Sequence, residues 1–274
     1  MPELPEVETI RRGLAELITG RRIEAVDIHL PRMVKLSSPA DFIAMITGRT
    51  IRSVDRRGKY LLIWLDSDMV LVVHLRMTGR LYYMSSSEPA GDYARIVFYL
   101  NHGDQLVFSD TRTLGTIDIM HANELNQIHG LATMGPEPLS PEFTTDYLAK
   151  ALIRSSAKVK SLLLNQQIIG GLGNIYVDES LALAGIHPER TGKSLSENEI
   201  NRLFMAINLV ITDALSHQGT TFRDYRDGYG KEGGHQNYLR VYGRKGEICQ
   251  TCGQNIIRIE VGGRGTHFCP GCQH

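Results

Sequence analysis

Residues with chemistry in their type and spacing stand at both ends of this chain. The start, MPELPEVETIRRGL, places Pro2 and Glu3 directly ahead of an amphipathic pattern. Val7, Ile10, Leu14, Leu17 and Ile18 recur at helical spacing and offer one apolar face. Pro5 suits the first helical position, and Glu6 and Glu8 suit the positive end of the helix dipole. That helix leaves Pro2 and Glu3 unexplained. Residue 2 is small, so loss of Met1 is expected, and it exposes proline as an amino terminus. An α-amine has a reference pKa of about 7.7–8.0 against about 10.4 for lysine, so far more of it is free base at neutral pH. A secondary amine can attack a sugar C1′ and form an iminium, as Schiff-base lysines do with carbonyls. The helix N-terminus lowers that pKa, whereas Glu3 and Glu6 raise it. Glu3 is placed to move protons on sugar oxygens beside the amine. By itself, a proline at position 2 is also compatible with no function.

At the other end, Cys249-Gln-Thr-Cys252 and Cys269-Pro-Gly-Cys272 are separated by sixteen residues. Two CxxC knuckles at this distance suit tetrahedral zinc in a two-hairpin ribbon. A disulfide pair or redox thiols are the alternatives, and a cytosolic setting disfavours them. Four thiolates close the coordination sphere, so such a zinc is structural. Between the knuckles, GGRGTH (262–267) offers glycines at a hairpin tip that let Arg264 enter a DNA groove, although an exposed turn arginine looks the same. GGLGNIYVDES (170–180) is a glycine-rich entry to a helix, with Asn174 as its expected cap. Its N–H groups could hold a phosphate, but its glycine spacing is not that of a dinucleotide fingerprint.

The elements that must position these groups fall into two styles. From Ile23 to Met120 the pattern is strand-like: KYLLIWLD and MVLVVHLR flank Asp66-Ser67-Asp68, and ARIVFYL and QLVFSD flank Asn101-His102-Gly103-Asp104. An antiparallel sandwich is expected. GPEPLSPEF, with three prolines in nine residues, reads as a linker. Beyond it the period turns helical over 157–169, 174–186 and 196–218, with Ser196 as a cap and Gly185 and Gly219 as stops. RDYRDGYGKEGGHQN (223–237) then reads as a mobile, functional loop.

A length of 274 residues allows two domains with real cores. Nothing at the start resembles a signal peptide, and the apolar run MVLVV is interrupted by His74 and Arg76, far short of a membrane span. All four cysteines lie in the last 26 residues, unlike a disulfide-stapled scaffold, so a cytoplasmic location is expected. Net charge is zero, which conceals local imbalance. Residues 49–80 carry seven Arg/Lys against three acids and 219–274 eight against five, whereas 101–150 carry two against seven. Steering of a polyanion depends on that local pattern; solvated mixed faces give the same counts.

MPELPEVE, RRGKYL, HLRMTGRL, GLGNIYVDESL, VYGRKGEIC and GRGTHFCPGCQ run in that order through the whole chain. Together they resemble the bacterial formamidopyrimidine-DNA glycosylases. The resemblance implies an α+β fold of two domains: an N-terminal antiparallel β-sandwich with an N-terminal helix, then a helix–two-turns–helix domain plus a zinc ribbon. The implied boundaries are 1–132 for the catalytic sandwich, 133–145 for a linker, 146–228 for the helical DNA-binding domain, and 229–274 for a strand segment and the ribbon.

It also implies a monomeric bifunctional enzyme acting on damaged double-stranded DNA, with one structural zinc and no catalytic cofactor. Pro2 attacks C1′ of an oxidised purine nucleotide, chiefly 8-oxoguanine or formamidopyrimidine, and β- and δ-elimination then cut the strand. Glu3 is the acid/base residue, and Glu6 shares its site. Lys59, His74, Asn174, Tyr242 and Arg264 match positions that hold the DNA backbone or the damaged site, with Lys59 and Arg264 close to the chemistry. Met77, Arg112 and Leu114 match the trio filling the vacated space in the duplex, and 219–237 matches the segment closing over an everted base. The family usually reads Asp-x-Arg-Lys/Arg-Phe-Gly where this chain has DTRTLG, so Leu114 lacks an aromatic face and Thr113 removes a cation. Thr78 stands where glutamate often occurs, and 155–158 (SSAK) is poor in lysine. An endonuclease VIII-like enzyme for oxidised pyrimidines would share Pro2 and Glu3. A non-catalytic zinc-ribbon DNA-binding protein would need neither.

Overall fold

The computed structural model describes residues 2–85, 90–222 and 225–274. Expectations that fall on Met1, Arg223 and Asp224 lie outside the described residues. The helices are α1 (Leu4–Ile18), α2 (Pro39–Ile46), α3 (His129–Ala132), α4 (Thr145–Leu152), α5 (Val159–Leu164), α6 (Asn174–Ala184) and α7 (Glu197–Ser216). The strands are β1 (Ile23–Ile28), β2 (Ile51–Arg57), β3 (Tyr60–Leu65), β4 (Met69–His74), β5 (Gly79–Met84), β6 (Ala94–Leu100), β7 (Gln105–Asp110), β8 (Thr116–His121), β9 (Ile257–Val261) and β10 (Arg264–Phe268). Two compact units form, Met1–Ala132 with His217–Gly234, and Thr133–Ser216 with His235–His274.

In the first unit, two four-stranded antiparallel sheets run β1-β6-β7-β5 and β2-β3-β4-β8. The alternation in the sequence becomes a shared interior of Val54, Leu61, Ile63, Leu71, Val73, Ile96, Phe98, Leu106 and Phe108. The β3–β4 turn is made by Ser67 (φ 55°) and Asp68 (φ 56°), left-handed conformations that Asp tolerates better than most residues. Helix α1 sends Val7, Ile10, Leu14 and Ile18 into the same interior. Each such side chain contributes about 1.5–3 kcal/mol when buried, so the helix start is fixed by its core face. On its other side Glu8 bonds Arg56 of β2 at 2.9 Å, as well as Arg11 and Arg12.

The N-cap of α1 is Glu3, which places Leu4 first and Pro5 second in the helix, one step later than the sequence suggests. Helix 157–169 is confined to Val159–Leu164. The chain turns at Asn165, because the Gln166 amide instead satisfies the glycine-rich segment: it bonds Leu172 O at 2.7 Å and accepts from Gly171 N at 2.9 Å. Gly173 rather than Asn174 caps α6, and Asn174 is its first residue. Ser196 does cap α7, in a reciprocal box with Glu199. Gly185 ends α6 in the left-handed conformation, φ 70°.

In the second unit, the proline-rich stretch packs onto helices: Gly135 N–H bonds Gln166 O, Leu139 N–H bonds Asn208 Oδ1, and Phe143 is buried against Phe204. Helix α6 is covered on all sides, including its acids Asp178 and Glu179. Strands β9 and β10 form a hairpin pairing Val261 with Arg264 across Gly262 (φ 58°) and Gly263 (φ 73°). Two positive φ angles in a two-residue turn are what glycine supplies. No helix among the described residues is long and apolar enough to cross a membrane.

Candidate active site and nucleic-acid interface

Pro2, Glu3 and Glu6 are all buried at the start of α1. The Glu6 carboxylate joins two segments far apart in sequence. Its Oε2 accepts the Glu3 N–H at 2.8 Å, and its Oε1 accepts the Thr220 N–H at 2.7 Å. Gly219 sits at φ 79°, and a Cβ there would lie 2.8 Å from Glu6 Oε1. Only glycine fits the turn and the approach together. The described residues of the following loop bond one another and, through Tyr229, helix α1. Tyr225 O–H bonds Gln218 O at 3.0 Å, Tyr229 O–H bonds Glu16 at 2.5 Å, and Asp227 Oδ1 accepts the N–H groups of Tyr229 and Lys231. Burial, with the Glu6 charge, pushes the Tyr225 phenol far up, so it stays a donor.

Lys59 lies in the two-residue β2–β3 turn and is buried, as is His74 at the end of β4. Burial, with the charges of Arg76 and Lys59, holds the His74 imidazole down at about 3. Its Nδ1 accepts the Arg76 N–H at 3.0 Å, which assigns the proton of the neutral ring to Nε2. The Tyr60 ring meets it edge-on at 4.4 Å.

Met77 (43 % exposed) and Leu114 (49 %) project apolar side chains to the surface beside the exposed Arg112. Arg112 Nη1 lies 3.9 Å from Met77 Sδ. Beneath them is a residue that sequence reasoning missed. The fully buried Asp110 accepts from Thr78 Oγ1 (2.5 Å) and Arg112 N (3.0 Å) on one oxygen, and from Leu114 N and Gly115 N (2.8 Å each) on the other. One carboxylate thus shapes the loop that presents Arg112 and Leu114. Its only sequence signal is an acid at the end of an apolar strand, four residues before Leu114.

The second unit carries Asn174, Tyr242 and Arg264. Asn174 Nδ2 bonds Gly265 O at 2.8 Å, tying the start of α6 to the hairpin whose exposed Arg264 stands beside the turn. Behind it lies a fully buried ion pair, Lys160 Nζ to Asp178 Oδ1 at 2.6 Å. Lys160 also reaches Gly265 O at 3.2 Å, and Asp178 Oδ2 accepts the His267 N–H at 2.8 Å. The adjacent Glu179 accepts three consecutive backbone N–H groups, of Arg240, Val241 and Tyr242, at 2.7–2.9 Å. Burial pushes its carboxyl up against those bonds. Asp178 and Glu179 therefore hold the arginine hairpin and the tyrosine segment to one helix. Two neighbouring acids in an otherwise apolar helical run are the signal that points to them.

The four cysteine sulfurs lie within 4.8 Å of one another, with Cys249–Cys272 at 3.8 Å and Cys252–Cys269 at 3.3 Å. These gaps are far longer than an S–S bond of about 2.05 Å. A tetrahedron with Zn–S of about 2.3 Å has edges of about 3.8 Å. The donor set fits one structural zinc ion, and Ile256 and Val241 pack beside it.

Three family models match in order: the formamidopyrimidine-DNA glycosylase N-terminal domain over residues 1–117, that enzyme's H2TH domain over 134–226, and a zinc finger found in FPG and IleRS over 246–274. They define the class, a zinc-finger DNA glycosylase that acts on damaged DNA in base excision repair. Formamidopyrimidine-DNA glycosylases of Heliobacterium modesticaldum (45 % identity) and Geobacillus kaustophilus (46 %) match over 100 % of both chains. Solved structures of the Lactococcus lactis enzyme also match over nearly the whole chain. A point mutant of that enzyme, in complex with Fapy-dG-containing DNA, has a TM-score of 0.94 at 38 % identity, covering 100 % of both chains. The complex with abasic-site DNA has 0.94 at 39 %, covering 99 % of both. The chain belongs to the formamidopyrimidine-DNA glycosylase family.

Proposed function

We propose that this chain excises oxidised purines, 8-oxoguanine and formamidopyrimidines, from duplex DNA with Pro2 as nucleophile, and then cleaves the strand by β,δ-elimination. The observation that carries the reading is the buried Pro2–Glu3–Glu6 cluster, in which one carboxylate ties the amine's neighbour to the 217–222 segment. The fapy-containing and abasic-site DNA bound by the Lactococcus relative supports the substrate class. Once Met1 is gone, the Pro2 nitrogen attacks C1′ and the C1′–base bond breaks, its electrons leaving with the base. Glu3 gives a proton to the sugar ring oxygen, and the opened sugar remains as an iminium. Loss of a C2′ proton expels the 3′ phosphate, and a second elimination expels the 5′ phosphate.

The remaining residues bind and orient. Neutral His74 offers Nε2–H, and Lys59 a charge, to phosphate oxygens. Asn174, Tyr242 and Arg264 grip the backbone from the second unit. Met77, Arg112 and Leu114 enter the stack where the damaged nucleotide leaves. Zinc shapes the hairpin and takes no part in the bond changes. One chain supplies every group named, which supports a monomer.

A second reading, oxidised pyrimidines, is favoured by the Lactococcus structure bound to DNA containing an oxidised pyrimidine. Single-turnover excision on matched duplexes separates the two. 8-Oxoguanine opposite cytosine should be cut faster than 5-hydroxycytosine in the same context. The opposite order overturns it.

A further inference from the structure

We infer that Arg32 is a second DNA-gripping cation of the loop that carries Arg112 and Leu114, latched onto that loop by the hydroxyl of Thr113. This rests on the function proposed above, in which that loop meets the duplex.

Arg32 lies in the short turn Pro31–Met33, remote in sequence from residues 110–115. The backbone around it is fixed. Met33 and Val34 are buried in the sandwich core, and the buried Asp118 of β8 accepts the N–H groups of Lys35 and Leu36 at 2.7 and 2.8 Å. The side chain is exposed, and its Nη2 donates to Thr113 Oγ1. Thr113 itself is held at φ 55°. Its neighbours on either side are Arg112 and Leu114, whose N–H groups are both bound by Asp110. The guanidinium of Arg32 is therefore anchored on a rigid loop next to the residues that enter the duplex.

Its charge is uncompensated. Among the described residues neither Arg32 nor Arg112 forms an ion pair with a carboxylate. Two guanidiniums without a carboxylate partner thus belong to one loop, Arg32 on the Thr113 hydroxyl and Arg112 beside Met77 Sδ, next to exposed Met77 and Leu114. The arrangement suits a polyanion that offers bases to the apolar side chains and phosphates to the cations. A guanidinium has five donors in a fixed fork. The bond to Thr113 uses one and leaves the others for a phosphate oxygen pair. In the function proposed above Arg112 meets the unpaired base, which leaves Arg32 for a phosphate of the strand bearing that base. The loop sequence DTRTLG has a single cation of its own. Arg32 supplies the second through space.

The test is the salt dependence of binding to a duplex with a tetrahydrofuran abasic analogue opposite cytosine. Arg32→Gln keeps a donor for Thr113 and removes the charge. It should weaken binding about three- to tenfold near 0.1 M salt and lower the slope of log Kd against log salt by about 0.9. Its thermal midpoint should equal that of the parent. Thr113→Lys added to Arg32→Gln should restore the slope. Arg112→Ala, scored for excision opposite cytosine against adenine, runs in parallel. If Arg112→Ala narrows that preference but Arg32→Gln leaves slope and affinity unchanged, the inference about Arg32 is wrong. If neither variant changes anything, the loop does not meet DNA and the proposed function of the loop fails with it.

Discussion

Replacing Asp110 by asparagine changes one atom in a buried carboxylate and tests whether it shapes the recognition loop. The carboxylate accepts four hydrogen bonds, two on each oxygen. An asparagine NH2 on the Oδ2 side would face two N–H donors. On the Oδ1 side it can donate to Thr78 Oγ1, but the Arg112 N–H is then left facing a donor. That lesser arrangement leaves the part-buried Arg112 N–H with only its long 3.3 Å bond to Thr78 Oγ1, costing about 1–3 kcal/mol. The two bonds that remain also change from charged to neutral acceptors, at about 1 kcal/mol each. The total is about 3–5 kcal/mol. Borne by the whole fold, about 3 kcal/mol lowers the melting temperature by roughly 6–12 °C. If the loop opens locally instead, the loss appears as poorer discrimination of the base opposite the lesion. Differential scanning calorimetry and single-turnover excision opposite cytosine and adenine measure the two outcomes. An Asp110→Asn protein matching the parent in both would refute the assignment.

Three further outcomes follow from the same geometry. Arg112 has only donors, which cytosine O2 and N3 satisfy and the adenine amino group does not. Excision opposite cytosine should therefore be roughly five- to hundredfold faster than opposite adenine, from about 1–3 kcal/mol for the unmet donor. Arg112→Ala should narrow the gap, and Leu114→Phe should tighten binding while keeping it; equal rates in the parent would contradict the assignment. His74 is held at about 3 in the fold against 6.5 free, so the unfolded chain binds the extra proton between those values. Stability is complete above 6.5 and falls with acid by roughly 1.4 kcal/mol per pH unit through this group until about 3. Glu8, held at about 2 by its arginines against burial, adds a loss below 4.5. His74→Gln should flatten the limb between pH 3 and 6.5 in urea midpoints, and an unchanged limb would count against it. Cys249→Ser should lose zinc and DNA affinity together, because the hairpin bearing Arg264 folds around the ion; metal analysis and binding isotherms read both, and retained affinity without zinc would oppose it.

Much of the fold is legible in local pattern. Alternating apolar residues around Asp66-Ser67-Asp68 and Asn101–Asp104 give the hairpins, since both turns use left-handed residues that the sequence supplies. The two CxxC knuckles give the ribbon because tetrahedral thiolate geometry leaves few alternatives. Hidden from the sequence are carboxylates whose partners are backbone N–H groups distant along the chain. Asp118 binds 35–36, Asp178 binds 267, Glu179 binds 240–242, and Glu6 binds 220. Backbone donors carry no residue identity, so nothing in the sequence marks their acceptor. The expected helix over 157–169 is too long for a related reason. Apolar residues return at Ile168 and Ile169 in helical spacing, but the Gln166 side chain is spent on the glycine turn.

Borohydride reduction of the enzyme on a duplex with 8-oxoguanine opposite cytosine, followed by peptide mapping of the crosslink, decides whether Pro2 is the nucleophile. One trapped DNA adduct is expected, on the nitrogen of Pro2 in a peptide lacking Met1, and none when the amino terminus is blocked. An adduct on a lysine, or full trapping by a blocked and mass-verified preparation, would contradict it.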